Sequence, residues 1–128
     1  MKKSIVKDKS FDFSLSIIQL FKILQEQREY IISKQLLRSG TSIGANISEA
    51  LAGESRADFL HKMAIASKEA RETIYWLELL QKSNLVEYDY SKYIEDCTTL
   101  VKMLTNIVHT TKTNLKPKTK NQKPKTKN

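Results

Sequence analysis

From Phe59 to Leu80, seven apolar or small residues recur at alternating steps of four and three: Phe59, Met63, Ala66, Ala70, Thr73, Leu77 and Leu80. A strand needs alternation every two residues, so this spacing requires a helix with a single seam, suited to packing on other helices at about 20°. Ser55 followed by Asp58 predicts its start, because the Ser oxygen accepts an unpaired N–H and the carboxylate favours the positive helix end. Ser83-Asn84 predicts its stop.

Three further segments carry the same period. Phe11, Leu15, Ile18 and Phe21, with Ile17, Leu20 and Leu24, predict an amphipathic helix over Ser10 to Gln25, capped by Ser10. A polar break, Gln25 to Glu29, precedes a second helix from about Tyr30 to Glu54, with Ile32, Leu36, Ile43, Ile47 and Ala50 on one stripe. At 1.5 Å per residue this helix is roughly 37 Å long. Asp89 caps the fourth helix, whose broad stripe of Tyr90, Tyr93, Ile94, Cys97, Leu100, Val101, Leu104, Ile107 and Val108 ends near Thr111. Only three Gly and two Pro occur, both Pro in the last dozen residues, so little interrupts these helices. Short connections make each helix the antiparallel neighbour of the last. The expected fold is all-α, an up-down-up-down four-helix bundle over residues 1–111.

The net charge of +8 is not spread along the chain. Residues 112–128 hold seven lysines (Lys112, Lys116, Lys118, Lys120, Lys123, Lys125 and Lys127) and no acid, leaving 15 basic and 14 acidic side chains in the body, a balance of +1. The tail repeats Lys-Pro-Lys-Thr-Lys-Asn at 116–121 and 123–128 without an apolar residue, a composition too polar to fold. Such a segment binds RNA or DNA by counterion release, or an anionic lipid surface, or only keeps the protein soluble.

The single Cys97 excludes an intrachain disulfide and reads as a small core residue. No signal peptide is read at the N-terminus, where Asp8 and Asp12 interrupt the approach to the apolar run, and no stretch of about 18 apolar residues predicts a membrane span. A cytoplasmic protein is expected.

Helices two and three carry second apolar stripes: Leu37, Gly44 and Leu51 on one, Ile65, Trp76 and Leu79 on the other. One bundle needs a single stripe of a little over 100° per helix, so the surplus predicts burial against further copies of the chain. The small residues Ser39, Gly40, Ser42, Gly44, Ala45 and Ser48 fit this, since Gly in a helix costs about 1 kcal/mol and is explained by close backbone approach. Close approach of helices one and three within one chain is the alternative. Asn46 and Glu49, one turn apart on this face, are expected to point partly inward and to form a polar clasp with Arg56 or Arg38.

Catalytic and metal signatures are lacking. A dimetal bundle needs paired Glu-x-x-His motifs, whereas this chain has one Asp58-Phe-Leu-His61 and a His109 with no acid nearby in sequence. No Gly-rich phosphate loop or nucleophile elbow occurs. The expectation is no enzyme, cofactor, metal or small-molecule substrate.

Two segments resemble a known family. Ser42-Ile43-Gly44-Ala45-Asn46-Ile47-Ser48-Glu49-Ala50 is similar to S-I-x-x-N-I-x-E-[GA], and Lys68-Glu69-Ala70-Arg71-Glu72-Thr73-Ile74-Tyr75-Trp76-Leu77 to K-E-A-x-E-T-x-Y-W-L, both of the bacterial 23S rRNA intervening-sequence protein family. The resemblance covers roughly Phe11 to Thr111 and implies a bundle that assembles as a homopentamer. It extends to the accessory variability determinant of diversity-generating retroelements, which partners a reverse transcriptase and binds nucleic acid. The resulting expectation is a non-enzymatic homo-oligomeric scaffold that binds RNA or a nucleoprotein through its Lys-rich tails. The alternative is a structural or protein-interaction module without a nucleic-acid role.

Overall fold

Every helix begins beside a polar side chain that accepts backbone N–H groups the helix geometry leaves unpaired. The computed structural model describes residues 4–115, and among these it contains four helices and no strand: α1 (Ile5–Glu26), α2 (Ile32–Ala52), α3 (Arg56–Ser83) and α4 (Ser91–Leu115). Ser4 Oγ accepts from Lys7 N at 3.2 Å, Ser55 Oγ from Asp58 N at 3.0 Å, and Asp89 Oδ1 from Ser91 N at 3.0 Å. The start of α2 is capped differently. The buried Glu29 turns its carboxylate onto three consecutive N–H groups, those of Ile31 (3.0 Å), Ile32 (2.9 Å) and Ser33 (2.6 Å). Gln25 ties the same turn to α1 by donating to Glu29 O at 3.2 Å and Ser33 Oγ at 2.8 Å.

Each helix packs on the next, and α1 also meets α4 more lightly, giving bundle-like packing around one core. Met63, Ala66, Ala70, Thr73, Leu77 and Leu80 of α3 are buried as their 4-3 spacing predicts, with Phe59 half-buried. Leu36, Ile43, Ile47 and Ala50 of α2 and Tyr90, Cys97, Leu100 and Leu104 beside or along α4 join them, with Val86 and the buried stripe of α1. Fully burying one such Leu or Ile side chain is worth about 1.5–3 kcal/mol. The Cys97 thiol donates to Ala70 O at 3.2 Å, and burial pushes its pKa up to about 12, which keeps it protonated and unreactive.

Helix α1 departs from expectation. It starts at Ile5, not Ser10; Ser10 is buried and donates to Lys7 O at 2.9 Å instead of capping. Its buried stripe is Val6, Ser10, Phe13, Ile17, Leu20 and Leu24, while Phe11, Leu15 and Ile18 are exposed. Both stripes have helical spacing, so periodicity could not choose between them. The choice is made by α2, whose Gly40 and Gly44 lie against Ile17 and Ser10. Boundaries shift elsewhere too: α2 begins at Ile32, and α4 continues to Leu115, four residues past Thr111, taking Lys112 into the helix.

Candidate functional site

One polar surface lies between α2 and α3 and one apolar surface between α1 and α2. On the first, Arg38 reaches across from α2 to two carboxylates on α3: Nη1 lies 3.3 Å from Glu69 Oε1 and Nη2 lies 2.6 Å from Glu72 Oε2. Trp76 Nε1 donates to Glu72 Oε2 at 3.1 Å. The Trp76 N–H, then the Arg38 guanidinium, hold the Glu72 carboxyl below its ordinary value, and the Glu72 hydrogen bond in turn raises Arg38. Beneath this clamp, Thr73 Oγ1 donates to Ser39 Oγ at 2.9 Å inside the core. Five residues of the K-E-A-x-E-T-x-Y-W-L segment thereby find a structural role: Glu69 and Glu72 hold Arg38, Thr73 holds Ser39, Trp76 orients Glu72, and Leu77 fills the core.

The expected clasp is not brought together. Glu49 is mostly exposed and pairs with Lys62 at 3.1 Å, whereas Arg38 is engaged by Glu69 and Glu72. Asn46 Nδ2 donates to Ser42 O at 2.9 Å within its own helix, and Arg56 is exposed at the start of α3. The reason is direction: Glu49 and Lys62 are the residues that face one another where α2 passes α3.

The residues expected at an oligomer surface divide similarly. Gly40 and Gly44 serve the α1 contact within the chain, where a Cβ on Gly40 meets Ile17 Cγ2 at 3.0 Å and one on Gly44 meets Ser10 Oγ at 3.3 Å. Leu37 and Trp76 pack half-buried against the core, Ile65 and Leu79 are half-buried, and Leu51 is exposed. A ridge of exposed apolar side chains lies on α1, where Phe11, Leu15 and Ile18 stay 63%, 49% and 37% exposed. They line a groove of about 370 Å³ floored by small side chains of Ser14, Gly44, Ala45 and Ser48, with Lys7 at its edge. The i, i+4, i+7 spacing of these three marks a helix in the sequence, but spacing alone does not say which way the stripe faces.

Of the tail lysines, Lys112 is exposed in the last turns of α4; Lys116, Lys118, Lys120, Lys123, Lys125 and Lys127 lie outside the described residues. Among the described residues, no three His, Cys, Asp or Glu side chains stand together as metal ligands, and no helix is long and apolar enough to cross a membrane.

The model of a family described as 23S rRNA-intervening sequence protein matches residues 2–106. A crystal structure at 1.70 Å resolution of a protein with unknown function from the S23 ribosomal protein family of Bacteroides thetaiotaomicron VPI-5482 is 50% identical, with a TM-score of 0.77, covering 81% of this chain and 98% of that one. No curated protein matches. The chain, matched over nearly all of its helical body, belongs to the 23S rRNA-intervening sequence protein family.

Proposed function

We propose that this protein is a non-enzymatic cytoplasmic scaffold, an antiparallel up-down-up-down bundle assembling as a homopentamer, that binds RNA or a nucleoprotein such as a reverse transcriptase through its Lys-rich C-terminal segment. The observation that carries this reading is the segregation of charge. A body balanced at +1 has little general attraction for phosphates, while seven lysines without an acid follow within 17 residues. Five such segments on one ring raise avidity without any new contact. The register of packing supports the antiparallel arrangement, because Gly40 lies near Ile17 but Gly44 near Ser10, and Arg38 pairs with Glu69 but Glu49 with Lys62.

Deleting residues 116–128 spares the described part of α4 and tests the reading. Affinity for RNA is expected to fall sharply, and the slope of log K against log salt to flatten by about 0.7 for each lysine lost from contact with a single strand. Unchanged affinity and slope after the deletion would remove the tail from the mechanism. Light scattering of the intact chain at low and high salt checks the assembly, and a monomeric mass at both rules out the ring.

The α1 groove favours a second reading, a protein-interaction module. An exposed ridge of Phe11, Leu15 and Ile18 beside a floor of small residues has the form of a surface that takes a helix.

A further inference from the structure

Helices α1 and α3 both end on a left-handed residue, but with different side chains. At the end of α3 the residue is Asn84, with φ 56°, and Asn tolerates this conformation. Beyond α1 it is Arg28, with φ 64°, where a Cβ and a long side chain make the same backbone unfavourable and Gly is the ordinary solution. Arg28 N–H donates to Gln25 O at 2.9 Å and Glu29 N–H to Leu24 O at 2.9 Å, and the Gln25 side chain adds a bond to Glu29 O, so the turn closes without the guanidinium.

Arg28 lines an open hollow of about 340 Å³ at the end of the bundle, between the α1–α2 and α3–α4 connections. Its walls include Tyr30, Ile31 and Leu85, which are 48%, 75% and 56% exposed, an unusual amount of aromatic and aliphatic surface for three neighbouring loop residues. Two charged residues line it. Glu29 is buried, with its oxygens already occupied by the N–H groups of Ile31, Ile32 and Ser33. Arg28 makes no ion pair among the described residues. The uncommitted charge is therefore positive, set beside a Tyr ring and an apolar wall.

We propose that this hollow receives an unstacked nucleobase of single-stranded RNA, with Arg28 holding the adjoining phosphate and Tyr30 stacking on the base. The inference rests on the RNA-binding reading and adds to it a subsite on the folded body, distinct from the lysines of the tail. Anionic phosphate complements the guanidinium, and a flat π-face matches Tyr30 and its apolar surroundings. A base in a duplex is stacked on both sides and cannot enter such a hollow, so the site discriminates single strands from duplexes although the tail does not.

The strained position supplies a clean variant. Arg28→Gly removes the guanidinium while relieving the left-handed backbone, so the melting temperature does not fall. The probe is a fluorescein-labelled oligouridylate of twelve nucleotides, read by anisotropy against the full-length protein at fixed salt, with duplex RNA of equal length as the control. Arg28→Gly and Tyr30→Ala are each expected to weaken single-strand binding about tenfold and to leave duplex binding unchanged. If both variants hold the single strand as the parent does, while deletion of 116–128 abolishes binding, the subsite is overturned and the tail reading stands. If the parent binds neither RNA, both fall together.

Discussion

The α2–α3 and α1–α2 junctions hold helices together by opposite means. Between α2 and α3 the contact is written in named partners: Arg38 with Glu69 and Glu72, Trp76 with Glu72, Thr73 with Ser39 and Glu49 with Lys62. Between α1 and α2 it rests on missing side chains, with Gly40 against Ile17 and Gly44 against Ser10 and Ser14. The first arrangement specifies register by direction and charge. The second brings backbones close and turns one apolar stripe of α1 inward, leaving Phe11, Leu15 and Ile18 outside. A junction made by small residues thus leaves an apolar face exposed, whereas one made by polar pairs consumes its own surface.

The largest test of this contrast is Gly40→Val. A Cβ there sits 3.0 Å from Cγ2 of Ile17, a fully buried side chain, and Val adds two further methyl groups. The expected loss is about 3 kcal/mol in urea unfolding, and a change below 0.5 kcal/mol would mean that α1 is not held by this close approach.

A smaller effect is expected at the polar junction. Glu72 has its folded pKa lowered from the ordinary 4.5 by Trp76 and then Arg38, so its stabilisation is complete above that value and is lost as pH falls through the lower folded one. Glu72→Gln keeps the shape and removes the charge. At pH 7 it should lower stability by at most about 1 kcal/mol, because the clamp is partly solvated, and the difference should vanish once acid has protonated the parent carboxylate. A difference that stays constant with pH would show that the charge contributes nothing.

Phe11→Ser combined with Leu15→Ser is expected to be smallest in the fold, within about 0.5 kcal/mol in the unfolding of a single chain, because both side chains already face solvent. The same double variant should reduce the mass measured by light scattering if this ridge covers a partner copy. Destabilisation of several kcal/mol would place the ridge in the core after all and collapse the contrast.

What could be read from the residues was local. The α3 seam from Phe59 to Leu80, the Ser55 cap, the stop at Asn84 and the core role of Cys97 all follow from helical period and side-chain chemistry within a few residues, and the structure places them so. The Glu29 cap escaped because its carboxylate precedes α2 by three residues, in a stretch that reads only as a polar break. Nearness in sequence offers Arg38 or Arg56 to Glu49, whereas the carboxylates that hold Arg38 are 31 and 34 residues away on α3.

The sequence by itself determined that the body of the chain folds as four amphipathic helices, because period, caps and the scarcity of Gly and Pro act within one or two turns. Only the tertiary structure decided which of two equally spaced stripes on α1 is buried, which helix Gly40 and Gly44 admit, and which acids hold Arg38. Those choices depend on where a second helix lies, and a helical period fixes the spacing of a stripe but not the direction in which its neighbour is found.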